Sequence, residues 1–485
     1  MKNRWSLVVH EVTEQTVNIW LGTLFHDCRK PIKVNVKITD TNSQLVATQS
    51  VLKAEWERPF SDIKSQRFCK LVTFDGLLPG QDYEVVVSEV FADPSMQPEI
   101  MLSAGTFTTL PNSIADMDNG FTVGLGSCFY EEFDGGHVGL AYETLVKFDE
   151  STYRPHIKFL TGDQVYLDIG WDSLSLVPKE IRDRIANDYA LHWQALRGAF
   201  RNGATWFLSD DHEFWNNYPL VKGLSPFIQA LKIPSVKDAW RKTAKDGVKN
   251  VQRSQPVRVF TIANELSFCL ADLRAYRTTR NIMPETNFKD ILNWVKGLTC
   301  PGVLVLSQPL MVKQSGNDDR NFVYYEKQYK KLIKALHDAE HDVVVLSGDV
   351  HHGRISTVEF SNRDNKLIEV VSSPMSNLSG MSSIATSDIT RSSRLKNFPP
   401  ITVPGVENCK ISYETPWKVT SEYNLFDIRY LNRRTKEHFC TLNFVKSSAG
   451  ELTVTVRAWL VREKDRKTGL PKQDWLKKPM VFTLT

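Results

Sequence analysis

Four apolar runs in this chain stop at residues able to do chemistry. "VGLGSC" ends at Cys128, and "FLTGDQVYLD" delivers Asp163, then Tyr166 and Asp168. "WFLSDDHEFWNN" delivers Asp210, Asp211, His212 and Glu213, followed by Asn216 and Asn217. "VVVLSGDVHHGR" delivers Asp349, His351 and His352. Each reads as a strand running into a loop, and loop tips on a rigid scaffold are where chemistry concentrates. Together they offer thiolate, phenolate, carboxylate, amide and imidazole, the ligand types of a polynuclear metal centre. Carboxylates can bridge two cations, imidazole and thiolate suit transition metals, and carboxylate and amide oxygens suit calcium or magnesium. Two cations about 3.5–4 Å apart can grip a phosphate ester, acidify a bridging water and stabilise the leaving oxygen. Gly162 and Gly348 precede two of the aspartates, where the lack of a Cβ lets backbone approach a metal or phosphate closely.

Taken singly, each signal has an ordinary explanation. Cys128 also reads as a buried thiol, although its place at a strand end favours ligation, Tyr166 as a core ring, and Asp-x-His as a turn residue beside a half-buried imidazole. Coincidence weakens as an account when four such strand ends fall in one region. "DLRAYR" adds Arg274 and Arg277, which fit either phosphate capture by a forked guanidinium or salt bridges to nearby acids. His137 and His352 read as structural or supporting groups. The basic stretch "VREKDRKTGLPKQDWLKKP" reads as a solvated hairpin. No P-loop, dinucleotide-binding glycine loop, G-x-S-x-G elbow or HExxH helix occurs in a supporting context, which removes several enzyme classes.

The elements that must position these residues fall into two styles. Residues 1–112 are β throughout, in short Val-, Ile- and Thr-rich runs such as "SLVVHEV", "TVNIWLGTL" and "DYEVVVSEVF" separated by turn residues. That spacing predicts an immunoglobulin-like or fibronectin-like sandwich, with 109–120 as the linker. From Phe121 strands alternate with helical stretches at 137–149, 178–201 and 322–340, which predicts a layered α/β core over 113–485. Within it, 372–408 is Ser- and Pro-rich and reads as a long loop, and further strands are expected over 422–460.

Bulk properties narrow the classes. A chain of 485 residues calls for two or three domains. Its net charge of +4, from 60 basic and 56 acidic residues, is too balanced to argue for nucleic acid or an anionic membrane. Seven scattered cysteines without a CxxC pair support neither a disulfide framework nor a structural zinc site. No apolar run is long enough to span a bilayer, and Glu11 and Glu14 interrupt any signal-peptide core. The location expected is cytoplasmic if the chain starts at its natural Met, and periplasmic or secreted if a leader was removed.

"GSC", "GDQVYLD", "SDDHEFWNN", "LADLRAYR" and "SGDVHHG" stand in the order and approximate spacing of a known family. The chain resembles the alkaline phosphatase D (PhoD-like) family of calcineurin-like metallophosphoesterases. The resemblance covers nearly the whole chain, from a β domain opening with "VTEQTVNIW" to the phosphatase core. It implies a four-layer αββα core behind the N-terminal sandwich, and a phosphomonoesterase or phosphodiesterase using hydroxide at an iron–calcium centre. By motif position, Cys128 and Tyr166 would bind Fe³⁺, Asp163 would bridge to Ca²⁺, and Asp349 and His351 would complete the cluster. Asp211, His212 and Asn216, or Asn217 in its place, would contact the second metal or the phosphate, with Arg274 and Arg277 near it. Other divalent metals would suit the same ligands. The implied partner is a small-molecule or lipid phosphate ester. The family often has Trp where this chain has Ser209, which is expected to alter packing behind the site. The alternative is a degenerate metallophosphatase fold acting as a binding protein. A degenerate core should have lost ligands, yet each matched position here holds one.

Overall fold

The computed structural model describes residues 4–64, 66–91, 99–132, 134–148, 151–223, 225–312, 314, 320–361, 363–378, 403, 409–413, 419–420, 437–473 and 479–485. Seven N-terminal strands come first: β1 (Ser6–Val12), β2 (Val17–Thr23), β3 (Lys33–Asp40), β4 (Leu45–Leu52), β5 (Phe68–Phe74), β6 (Asp82–Val90) and β7 (Glu99–Thr108). They pair antiparallel into a sheet of order β1-β2-β5 and a sheet of order β4-β3-β6-β7. Val34, Val36 and Ile38 alternate with Lys33, Asn35 and Lys37, so one face of β3 enters the core and the other meets solvent. The smaller sheet is buried on both sides. Leu7 and Val9 face the sandwich interior, while Val8 and Trp20 join the apolar cluster around the first helices. Trp20 Nε1 donates to the Asn250 carbonyl at 3.0 Å, and Arg258 pairs with Glu11 at 2.7 Å.

The remaining strands are β8 (Phe121–Gly126), β9 (Ile157–Thr161), β10 (Ala204–Leu208), β11 (Val257–Ile262), β12 (Leu266–Ala271), β13 (Gly302–Leu306), β14 (Val343–Ser347), β15 (His352–Phe360) and β16 (Lys366–Val371). They continue as β17 (Cys409–Tyr413), β18 (Val419–Thr420), β19 (His438–Lys446), β20 (Leu452–Lys464), β21 (Pro471–Gln473) and β22 (Met480–Leu484). One sheet has the order β10-β9-β8-β19-β20-β21, with β22 beside β20. The other has the order β11-β12-β13-β14-β16-β15-β17, with β18 on β15. Strands β8, β9 and β10 run parallel, as do β12, β13, β14 and β16. Parallel pairing puts their carboxyl ends along one edge, where ligands bind in open α/β sheets.

Side chains alternate between two cores. Phe159, Trp206 and Leu208 meet Phe268, Val305 and Leu346 between the sheets, while Leu160 and Phe207 point outward. The outward residues are covered by helices His137–Val146, Pro178–Ala195 and Pro234–Asp246, through Tyr142, Ile185 and Trp240. Helices Glu285–Lys296 and Glu326–His337 cover the other sheet with Phe288, Ile291, Leu332 and Leu336. The result is helix, sheet, sheet, helix. The helix expected over 322–340 is shorter, a 3-10 turn at Phe322–Tyr324 followed by Glu326–His337. Of the loop expected over 372–408, residues 372–378 and 403 are described. Of the strands expected over 422–460, the stretch "YNLFDIRYL" at 423–431 lies outside the described residues. All seven cysteines are free thiols. Among the described residues no helix is long and apolar enough to cross a membrane.

Candidate metal centre

The ends of β8, β9, β10 and β14 meet because two glycines let them. A Cβ on Gly348 would lie 2.1 Å from Ser127 Oγ and 2.7 Å from Thr161 Oγ1, joining the ends of β14, β8 and β9. A Cβ on Gly162, which has φ +114°, would lie 2.5 Å from Asp210 Cβ. A side chain at either glycine would therefore collide with a neighbouring strand end. Just beyond, Cys128, Asp163, Asp349 and His351 have φ of 55°, 56°, 69° and 53°. L-residues with side chains rarely adopt this left-handed conformation, and it clusters where surrounding structure imposes it for function.

The strained turns bring the expected residues together. Ligand atoms of Cys128, Asp163 and His351 lie within 4.8 Å of one another. So do those of Asp163, Asp211 and His212, and those of Asp163, Asp210, Asp211 and Asp349. Asp163 belongs to all three groups. The Cys128 thiol donates to Asp163 Oδ2 at 3.4 Å and receives the Ser373 hydroxyl at 3.2 Å. The Tyr166 hydroxyl lies 3.2 Å from His351 Nε2, and its ring stacks on His212 at 4.3 Å. Asp210, left out of the sequence assignment, is the added carboxylate.

Supporting groups fix the orientations. Asp168, buried, meets His212 Nδ1 at 2.7 Å through Oδ1 and accepts from the Asn216 backbone N–H at 2.7 Å through Oδ2. The Asn217 backbone N–H donates to Asp211 Oδ2 at 2.6 Å. Glu213 accepts from the backbone N–H groups of Asp163, Gln164 and Asp210, tying the β9 and β10 loops together. Asp272 accepts from Ser209 Oγ at 2.8 Å, Ser254 Oγ at 2.6 Å and the Arg274 backbone N–H at 2.9 Å. Ser209 thus links the β10 and β12 loops.

Both arginines are buried, with different partners. Arg274 Nε donates to Asp210 Oδ1 at 2.6 Å and Nη1 to the Tyr218 carbonyl at 2.9 Å, with Nη2 3.9 Å from Asp211. These contacts make the salt bridge that the sequence allowed. Arg277 donates to Gln308 Oε1 at 2.5 Å, and Gln308 Nε2 donates to Asp349 Oδ2 at 3.1 Å. Arg277 therefore reaches the cluster through an intermediary. His352 bonds the Val350 carbonyl and His137 the Asp134 carbonyl.

The electrostatics are those of an anionic cluster in a dry site. Burial pushes the Cys128 thiol well up, and the charges of Asp163 and Asp349 add to it. Burial likewise raises Tyr166, reinforced by Cys128 and Asp163. It also raises Asp163 and Asp210, against the opposing pulls of His212 and Arg274. Asp211 is held at about 2, because Arg274 and His212 outweigh its burial. Burial would lower His212, but Asp168 and Asp163 outweigh it and raise the imidazole well up. Asp210 Oδ2 is buried without a hydrogen-bond partner among the described residues. Such a cluster must be neutralised by protons or by cations, and its donor set suits cations.

Several of these groups carried no legible role in the sequence. Gln308 and Ser373 follow strands β13 and β16, the same strand-end signal in residues of plain chemistry. Asp168 sits in "GDQVYLD", five residues beyond Asp163.

No protein-family model and no curated protein matches this chain. Among solved structures, one described as the structure of PhoD is similar with TM-score 0.59 at 16% identity, over 99% of this chain and 88% of that one. A purple acid phosphatase, PPD1 from yellow lupin (Lupinus luteus) seeds, is similar with TM-score 0.54 at 10% identity, over 99% of this chain and 74% of that one. The chain has a PhoD-like metallophosphoesterase fold along nearly its whole length, in keeping with the order of its motifs.

Proposed function

We propose that this chain is a metal-dependent phosphoric ester hydrolase, a phosphomonoesterase or phosphodiesterase of the alkaline phosphatase D type. The observation that carries the reading is the sharing of Asp163 among three overlapping groups of ligand atoms. A carboxylate common to adjacent groups is what a bridging ligand requires. In this assignment Cys128 and Tyr166 would hold Fe³⁺, Asp163 would serve both it and Ca²⁺, and Asp349 and His351 would complete the cluster. Asp211 and Asn216, or Asn217 in its place, would contact the second cation or the phosphate. Cations held there supply Lewis acidity, activating water and screening phosphate charge.

The chain's own residues do the rest. Asp168 holds His212 Nδ1, leaving Nε2 to carry a proton toward the departing oxygen. Arg274 holds Asp210 and balances part of the carboxylate charge. Arg277 positions Asp349 through Gln308. The burial of Cys128, Asp163 and Tyr166 keeps bulk water away from this side of the site.

Metal analysis with a visible absorption spectrum tests the assignment. Iron and calcium in the purified protein, with a charge-transfer colour that Tyr166→Phe or Cys128→Ala shifts or bleaches, is the expected result. Colourless protein that holds zinc or manganese after reconstitution with iron would overturn the iron assignment. Asp163→Ala should abolish phosphate ester hydrolysis in a folded protein, and unchanged turnover would sink the mechanism built on a bridging Asp163.

A further inference from the structure

A cleft of about 360 Å³ lies beside the candidate centre, and its charge is one-sided. Lys237, Arg241 and Lys245 line it from helix Pro234–Asp246, with Arg277 opposite. The first three are spaced four apart, which puts them on one helix face. Among the described residues no carboxylate lines the cleft. Arg241 is paired with the exposed Asp238, whereas no ion pair holds Lys237 or Lys245 among the described residues. The whole chain carries only +4, so four cations around one cleft are a local concentration.

The cleft adjoins the centre through two walls. Trp215 and Tyr218 line it and bracket Asn216 and Asn217, whose backbone N–H groups hold Asp168 and Asp211. Arg277 reaches Asp349 through Gln308. The Tyr218 carbonyl, on the same wall, accepts from Arg274, which holds Asp210 of the cluster. Burial and the neighbouring Arg241 both press on the charge of Lys245, a strain that a bound anion would relieve.

We propose that Lys237, Arg241 and Lys245 form a subsite for a second phosphate, so that the preferred substrates are small molecules carrying more than one phosphate group. This rests on the hydrolase reading above. The cleft's volume suits a small-molecule portion, and the balanced surface charge argues against a nucleic-acid track.

The test compares fructose 1,6-bisphosphate with fructose 6-phosphate, a pair differing by one phosphate. In the wild-type protein kcat/KM should favour the bisphosphate by about tenfold or more, the scale of a charge-focused subsite. Lys237→Ala/Lys245→Ala should remove that preference through KM, leaving the monophosphate within about twofold. Alanine suits the helix, and Lys237→Arg/Lys245→Arg should keep the preference. Equal losses on both substrates, or no loss on either, would overturn the subsite. Calorimetric binding of inorganic tripolyphosphate separates the two readings. If neither sugar phosphate nor the diester bis(p-nitrophenyl) phosphate is turned over, the hydrolase reading fails, whereas tripolyphosphate binding lost in the alanine variant would still support the anion subsite. Absent binding, or equal binding by both proteins, would remove it.

Discussion

Asp168→Asn tests the proposed proton path with the smallest change of shape. Asp168 is 1% exposed, with one oxygen 2.7 Å from His212 Nδ1 and the other 2.7 Å from the Asn216 backbone nitrogen. An asparagine can keep an acceptor toward only one of them. If the amide NH₂ faced the Asn216 N–H, two buried donors would oppose each other, at about 1–3 kcal/mol. The NH₂ therefore turns toward His212, whose Nδ1 must then accept. The imidazole stays neutral and loses the charge-assisted bond that favoured its protonated form, worth about 1.5–3 kcal/mol. Taken off the transition state, that energy is about 10–100-fold in activity. That loss should depend on the leaving group. An aliphatic alkoxide needs a proton as it departs, and p-nitrophenolate does not. Glycerol phosphate turnover should fall by the full factor while p-nitrophenyl phosphate turnover falls by less than about threefold. Phosphate release gives both rates, and metal content measured in parallel confirms an intact centre. Equal losses on the two substrates, with metal retained, would refute the assignment of His212 as proton donor.

Other expectations follow from packing and charge. Gly348→Ala would drive a methyl into Ser127 and should destabilise the fold by about 1–3 kcal/mol. Denaturant titration reads that loss, and Ser127→Gly should restore part of it. Burial holds His10 at about 3 and His156 and His192 at about 4, all below the unfolded value. Between those values and about 6.5 the unfolded chain binds more protons, so the contribution is full above about pH 6.5 and is lost as pH falls toward 4. Each imidazole should remove about 2 kcal/mol between pH 7 and pH 5. His156 Nδ1 accepts from the Thr122 N–H, which a glutamine can imitate. His156→Gln should therefore flatten the pH dependence by about one imidazole's share, and an unchanged slope would count against its burial as the cause.

The strand ends were legible because each couples an apolar run to a residue of distinctive chemistry. Cys128, Asp163, Asp211 and Asp349 announce themselves in this way, and parallel register gathers them at one edge. Gln308 and Ser373 occupy equivalent places, but an amide and a hydroxyl after a strand are common, and only the fold shows what they touch. Arg274 had two readings because composition carries no distances; the fold adds its 2.6 Å bond to Asp210. The glycines were recognised as places of close approach, but the neighbour is another strand end, which follows from tertiary packing alone. Left-handed backbone at Cys128, Asp163, Asp349 and His351 runs against local preference. Sites where local rules are overridden are expected where function is paid for in stability.

That override leads to an expectation about Asp163 itself. The residue combines a left-handed backbone with a buried carboxylate among Asp210, Asp211 and Asp349, and burial raises its pKa. A group whose folded pKa lies above its unfolded value destabilises the fold at pH values above the unfolded value. In metal-free protein at neutral pH, Asp163 is therefore a burden. Asparagine has nearly the same volume, carries no charge and tolerates the left-handed region better than most residues. It also keeps an oxygen for the His212 N–H that Asp163 Oδ1 accepts at 3.2 Å. Asp163→Asn should make metal-free protein more stable by about 1–2 kcal/mol, the exchange of function for stability seen when strained sites are neutralised. Added metal stabilises whichever protein binds it. Wild type should gain on reconstitution with iron and calcium, and the variant should gain far less, so their order reverses. Denaturant midpoints with and without metal measure both terms. A metal-free variant weaker than metal-free wild type would mean that the Asp163 carboxylate is a structural acceptor, held in its strained turn by hydrogen bonds rather than by the need for a bridging ligand.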